Sequence, residues 1–321
     1  MDHSGERKHV EQLIRSNIGY FDSTFVNAAY QRLGLQPISD PYDLRLLTEI
    51  SDALKAKRAF SAIRLGNREM NILAYGADTA TPNLDFLAGA KSIKTQSNSF
   101  EVDHQGMSEL CEMMQDAVHS ADMVGVLGLW RPWRDADFSE DDAVDFFRSN
   151  LQQGYGHFRG MHTMLEWAKR GRLADKTLAS AHLYFGVLAG LKDLIPLSKS
   201  VLCITDKTQV VEALQGLYPD KEVAHVLVGD KRKKQPGTLT RPVFLEEVES
   251  ELPDDMMGCL CLIGAGVWAE YYCTLVKARG GVAIDLGSGF DLLAGESSRP
   301  IHQSLSDEDR ENLSLVKPVD A

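Results

Sequence analysis

Apolar residues along this chain alternate between two kinds of block. Short runs rich in β-branched and aliphatic residues read as strands at 59–65 (AFSAIRL), 122–130 (DMVGVLGLW), 200–205 (SVLCIT), 223–228 (VAHVLV), 258–263 (GCLCLI) and 281–286 (GVAIDL). Between them, apolar positions recur at helical spacing over 68–75, 141–152, 161–171, 207–218 and 240–252, and from Gly264 to about Ala278. Residues 178–195 fit either a short strand or a helix. Residues 1–58 read as helical: Val10, Leu13 and Ile14 share a face, and Tyr42 to Lys57 is amphipathic after Pro41. Strands alternating with helices predict an α/β fold, a Rossmann-like and mostly parallel sheet flanked by helices. The expected organisation is an N-terminal helical extension over 1–58, one α/β domain over 59–300 and a polar C-terminal tail over 301–321.

Composition narrows the class. The 321 residues are 44% hydrophobic and 25% charged, as in ordinary globular proteins. A formal charge of −12 argues against non-specific nucleic-acid binding, which needs a basic footprint. The N-terminus is charged and lacks an apolar signal core, and no apolar run is long enough for a transmembrane helix, so a cytoplasmic location is expected. Five cysteines without framework spacing do not suggest a disulfide scaffold. Cys259 and Cys261 share one face of a strand and read as small core residues, with a metal or redox role as the alternative.

The densest candidate chemistry lies near the C-terminus. Gly264-Ala265-Gly266 sits between a strand and a helix, where glycines let a backbone approach a ligand and the helix start favours phosphate. Asp285 follows at the end of the next strand, where an acid can accept hydrogen bonds from a ribose. This spacing is similar to a dinucleotide fingerprint and raises an NAD(P)-dependent oxidoreductase as one reading. Too little chain follows Asp285 to complete a conventional dinucleotide domain. A second glycine loop, Gly287-Ser288-Gly289, continues to Asp291, which reads equally as ligand contact or as a cap.

After the first strand comes Arg64-Leu65-Gly66-Asn67-Arg68-Glu69. Glu69 and Asn67 offer a cation one anionic and one neutral oxygen, while Arg64 and Arg68 offer positive charge to phosphate. By itself the segment is also a capped helix start. His182 can orient a substrate or act as a base, or serve as a structural histidine. Trp130, Arg131, Trp133 and Arg134 form an aromatic and basic loop, and Asp230 to Lys234 is a dense basic run.

These segments resemble a known family. RLGNREMN is similar to the R-[FL]-G-D-G-E-x-N segment of GT-D fold glycosyltransferases. The stretch IGAGVWAEYYCTLVKARGGVAIDLGSGFDLLAG resembles that family's C-terminal block, and SAHLYF followed by SVLCIT resembles a weaker middle pattern. The resemblance implies transfer of a sugar from a nucleotide-sugar donor such as UDP-glucose to a glycan, lipid-linked or protein acceptor, as in surface-polysaccharide synthesis. It implies Glu69, His182 and Asp285 as catalytic candidates. Arg64, Arg68, Gly264, Gly266, Gly287, Ser288 and Asp291 become candidates for holding the nucleotide. Mn²⁺ or Mg²⁺ is implied at Asn67 and Glu69. Three positions depart from the family pattern. Asn67 stands where the family has Asp, and Arg68 where it has Gly. Ala269-Glu270 stands where it has Gly-Lys, which exchanges a cation for an anion. The departures predict weak metal dependence and raise a second reading, a nucleotide(-sugar)-binding protein without turnover.

Overall fold

The computed structural model describes residues 4–17, 25–77, 80–94, 100–129, 141, 144–145, 148, 154–228, 237–238 and 243–316. The strands are β1 (Phe60–Arg64), β2 (Phe100–Glu101), β3 (Met123–Val126), β4 (Thr177–Ser180), β5 (Ser200–Thr205), β6 (Glu222–Leu227), β7 (Gly237–Thr238), β8 (Cys259–Gly264) and β9 (Val282–Asp285). Seven of them form one parallel sheet in the order β4-β3-β1-β9-β8-β5-β6, and β2 and β7 pair separately. The Rossmann-like α/β expectation therefore holds. All six expected strands lie in this sheet. The ambiguous stretch 178–195 supplies both alternatives, β4 and then the helix Tyr184–Leu194.

The inner strands β1, β3, β5, β8 and β9 bury both faces, as a parallel sheet covered by helices requires, while the edge strand β6 leaves Glu222 and Ala224 exposed. On β8, Cys259, Cys261 and Ile263 enter one core, while Leu260 and Leu262 enter the other. The Cys-x-Cys pair is thus core, and all five cysteines are buried and free. The first core is covered by helices that include Ser4–Asn17, Asn67–Leu73, His104–Ser120, Gly156–Lys169 and Ala269–Ala278. Leu44–Lys55, Tyr184–Leu194 and Thr208–Leu217 cover the second. The N-terminal helices therefore contribute to both cores: Val10 and Ile14 to one, Leu46 and Ile50 to the other. The segment with the polar composition of a tail also packs as far as residue 316. Ile301, His302 and Leu313 are buried, because its few apolar side chains are spaced to reach the second core. Among the described residues no helix is long and apolar enough to cross a membrane. The Trp130–Arg134 loop, the basic run 230–234 and most of the expected helix 141–152 lie outside the described residues.

The helix Gly156–Lys169 lies hard against Asn67–Leu73, and its glycines allow this. A Cβ on Gly160 would stand 2.2 Å from Met70 Cβ. A buried polar brace fixes the same helix to Pro82–Lys94. The Tyr155 hydroxyl donates to Asp85 at 2.5 Å, and Arg159 Nε lies 3.4 Å from Asp85. Gly160→Ala should lower stability by about 1–3 kcal/mol through overpacking. Urea denaturation measures this; an unchanged midpoint would show that the two helices are free to separate.

Candidate functional site

Strand order creates the site. From β1 the chain builds outward through β3 to the edge strand β4, then crosses to β5 and β6 on the other side. It returns through β8 to β9, directly beside β1. The carboxyl ends of β1, β9 and β8 thus lie side by side where the winding direction changes, the usual place for a ligand crevice in an open α/β sheet. The register pairs Ala62 with Ile284 and Ile263 with Asp285.

Arg64, at the end of β1, is held from every side. Its Nε lies 3.2 Å from Asp285 Oδ2, and its Nη1 donates to the Ala181 carbonyl at 3.0 Å. Its guanidinium lies over the Tyr184 ring, 4.9 Å from the centroid. Gly287, in the left-handed region at φ 47°, leaves room for Nη2, since a Cβ there would stand 1.8 Å from it. Arg64 is thus an internal clamp joining β1, β9 and the turn after β4. Asp285 is buried, and burial pushes its carboxyl up to about 6 even though Arg64 pulls it down. Asp285 Oδ2 faces Arg64, while Oδ1 is buried without a hydrogen-bond partner among the described residues.

Glu69, in the first turn of Asn67–Leu73, folds back over Gly66. Its Oε2 lies 2.7 Å from the position a Gly66 Cβ would take. Glu69 is half-buried and forms no ion pair with a described residue. Asn67 Oδ1 lies 2.7 Å from His157 Nδ1, an arrangement in which the imidazole N–H donates to the amide oxygen. The oxygen expected to meet a cation is therefore already used, and it carries no charge. Among the described residues no group of three or more His, Cys, Asp or Glu side chains is arranged to hold a metal ion. This donor set does not fit the Mn²⁺ or Mg²⁺ that the resemblance implies.

Glu270, in the first turn of Ala269–Ala278, is only 1% exposed, and neither carboxyl oxygen has a hydrogen-bond partner among the described residues. Burial raises its pKa well above the ordinary value, and the nearby Glu69 and Asp285 charges raise it further. An isolated buried carboxylate is costly, so Glu270 is held as the neutral acid.

On the other side of Arg64 lies a cluster of rings. His182 and His302 each sit 6.0 Å from Tyr184, centroid to centroid. His302 Nε2 is 3.1 Å from the Tyr184 hydroxyl and 3.5 Å from Ser288 Oγ. Burial lowers the His182 pKa to about 3, with Arg64 and His302 adding to the effect. His182 is therefore neutral at physiological pH and a weak base. Gly266 takes φ 60°, and Gly264 makes room for the Phe290 ring. Asp291 forms an ion pair with Lys207 at 2.9 Å and accepts a hydrogen bond from Ser298. Lys207 thus takes up its charge.

The expected residues therefore gather at one sheet edge, while Asn67 and Asp291 are drawn to other partners. Tyr184 enters from the SAHLYF segment, and His157, His302 and Arg299 belong to the neighbourhood without any local motif. The nearest sequence signals are Gly156 and Gly160 flanking His157 in close-packing spacing, and Ile301 beside His302 in a polar stretch. No family model, curated protein or solved structure matches the chain.

The folded protein holds the Glu270 proton more tightly than the unfolded chain does. Protonation thus favours the folded state increasingly less as pH rises through the unfolded value of about 4.5, and the penalty is complete above the raised folded value. Glu270→Gln should match wild type near about pH 4 and be the more stable at about pH 8. Urea midpoints at both pH values check this; a variant less stable at the higher pH would show an ionised, partnered Glu270.

Proposed function

We propose that the protein transfers a sugar from a nucleotide-sugar to a hydroxyl acceptor, without a divalent cation held by the Asn67–Glu69 turn. One observation carries the reading. The two segments that resemble GT-D fold glycosyltransferases, around Arg64–Glu69 and around Gly264–Asp291, meet at the carboxyl edge of one parallel sheet.

In this reading the bond from the anomeric carbon to the diphosphate breaks, and the acceptor oxygen bonds to that carbon. The acceptor proton passes to Glu69, the half-buried carboxylate at this edge without an ion-pair partner among the described residues, Glu270 already holding its proton. Glycine loops after β8 and β9 admit the nucleotide. Asp285 and Arg64 position these loops without touching the reacting atoms. Charge on the departing diphosphate is met by guanidinium groups, which stabilise developing anionic charge as a metal does elsewhere.

A second reading, nucleotide(-sugar) binding without turnover, is favoured by the buried Glu270 and by the Asn67–His157 hydrogen bond. UDP-glucose is the first donor to try. The leading reading expects UDP release that persists in EDTA and falls by about 100-fold or more in Glu69→Ala, the scale of a general base. Binding of UDP-glucose in calorimetry with no UDP release from any donor or acceptor panel would select the second reading. No binding of any nucleotide-sugar would end both.

A further inference from the structure

The turn after β9 is seated on the Arg64–Tyr184 pair. A Cβ on Gly287 would stand 1.8 Å from Arg64 Nη2, and one on Gly289 would stand 3.1 Å from Tyr184 Cδ2. The missing side chains let the turn approach both residues. Ser288, between the two glycines, is half-buried at the carboxyl edge of the sheet.

His302 reaches the same point from the C-terminal segment. It is fully buried, with its ring edge-on to Tyr184 and Phe185 at 6.0 and 6.3 Å between centroids. Its Nε2 lies 3.1 Å from the Tyr184 hydroxyl and 3.5 Å from Ser288 Oγ. Its Nδ1 is buried and has no hydrogen-bond partner among the described residues. The segment that carries it is tied down further on, where the Leu315 and Val316 amides donate to the Leu293 carbonyl.

The two ring nitrogens set the direction of these hydrogen bonds. Burial pushes the His302 pKa down to about 4, so the ring is neutral and carries one proton. A proton on Nδ1 would leave a buried N–H without an acceptor, the rarer of the two possible defects. A proton on Nε2 faces two oxygens and leaves only a lone pair unmet at Nδ1. Nε2 is therefore the donor. Tyr184 accepts on the shorter arm, and Ser288 cannot give its own proton to this nitrogen. The Ser288 hydroxyl proton is then left for an acceptor entering the crevice. A phosphate oxygen only accepts, so it matches a one-way donor.

We infer that His302 is a positioning residue: by presenting Nε2–H to Tyr184 and Ser288, it fixes Ser288 as a hydroxyl donor to a phosphate oxygen of the ligand at the turn after β9. The inference rests on the proposed function only in taking that phosphate to belong to a nucleotide. His302 itself does not touch the ligand.

Nitrogen-15 NMR of the imidazoles in the ligand-free full chain tests the first half, with the His302 signals assigned by their loss in His302→Gln. The Nε2–H tautomer is expected, and an Nδ1–H tautomer overturns the inference. Calorimetry in EDTA, with inorganic pyrophosphate and UDP as separate probes, tests the second half. Ser288→Ala and His302→Leu should each weaken both probes about tenfold or more. The double variant should bind no worse than the poorer single one, because both residues act through one hydroxyl. His302→Gln keeps an N–H near the place of Nε2 and should bind within about threefold of wild type. A His302 that only supports the fold would add its loss to that of Ser288→Ala and would not be rescued by Gln; that result overturns the inference. Pyrophosphate binding that depends on both residues, with UDP bound no more tightly, keeps the inference and removes the nucleotide reading. UDP binding indifferent to both residues does the reverse, and no binding of either probe by wild type ends both.

Discussion

The ion pair between Arg64 and Asp285 is the interaction on which the candidate site depends. Parallel strands meet only through backbone hydrogen bonds, and these end where the strands end. Beyond that point the turns after β1, β4 and β9 need a common anchor. Arg64 supplies it by contacting Asp285, the Ala181 carbonyl and the Tyr184 ring at once. Removing either partner leaves an uncompensated charge in a mostly dry place, which is why such pairs are costly to break even where they add little net stability.

The same pair sets the electrostatics around it. Arg64 pairs with one carboxylate, leaving Glu69 and Glu270 to raise one another's cost without an ion pair among the described residues. Burial resolves this at Glu270 by keeping the proton, while Glu69 stays at the half-buried rim. The result is a core of the site that is close to neutral, with guanidinium charge displaced outward. A bare divalent cation finds little there, because the amide oxygen of Asn67 is already bound to His157.

The sheet was largely legible because burial of both faces leaves continuous apolar runs, and those runs mark β1, β3, β5, β8 and β9, while β6 shows through its run of Val and Leu although it is an edge strand. β4 was ambiguous because Thr177–Ser180 is short and runs almost directly into the apolar helix Tyr184–Leu194. Which residues approach the sheet edge was legible from their place after strands. What each does there was not. Arg64 reads in sequence as a phosphate ligand because its carboxylate partner lies on a distant strand, and only the register makes them neighbours. Glu270 reads as a reversed surface charge, and packing turns it into a buried acid. His302 sits in a stretch whose polarity suggests a tail, yet Ile301 and Leu313 draw that stretch back to the core.

The central claim is that Arg64 and Asp285 act as one unit that holds this edge together. A double-mutant cycle in urea, with Arg64→Met, Asp285→Leu and the combined variant, tests it most directly. Asp285→Leu strands the Arg64 charge and Arg64→Met forces the buried Asp285 to take up a proton, so each should cost about 3–5 kcal/mol. The double variant strands none, so it should cost much less than the sum, with a coupling energy of about 1–3 kcal/mol or more. Costs that simply add would show two independent side chains and contradict the account.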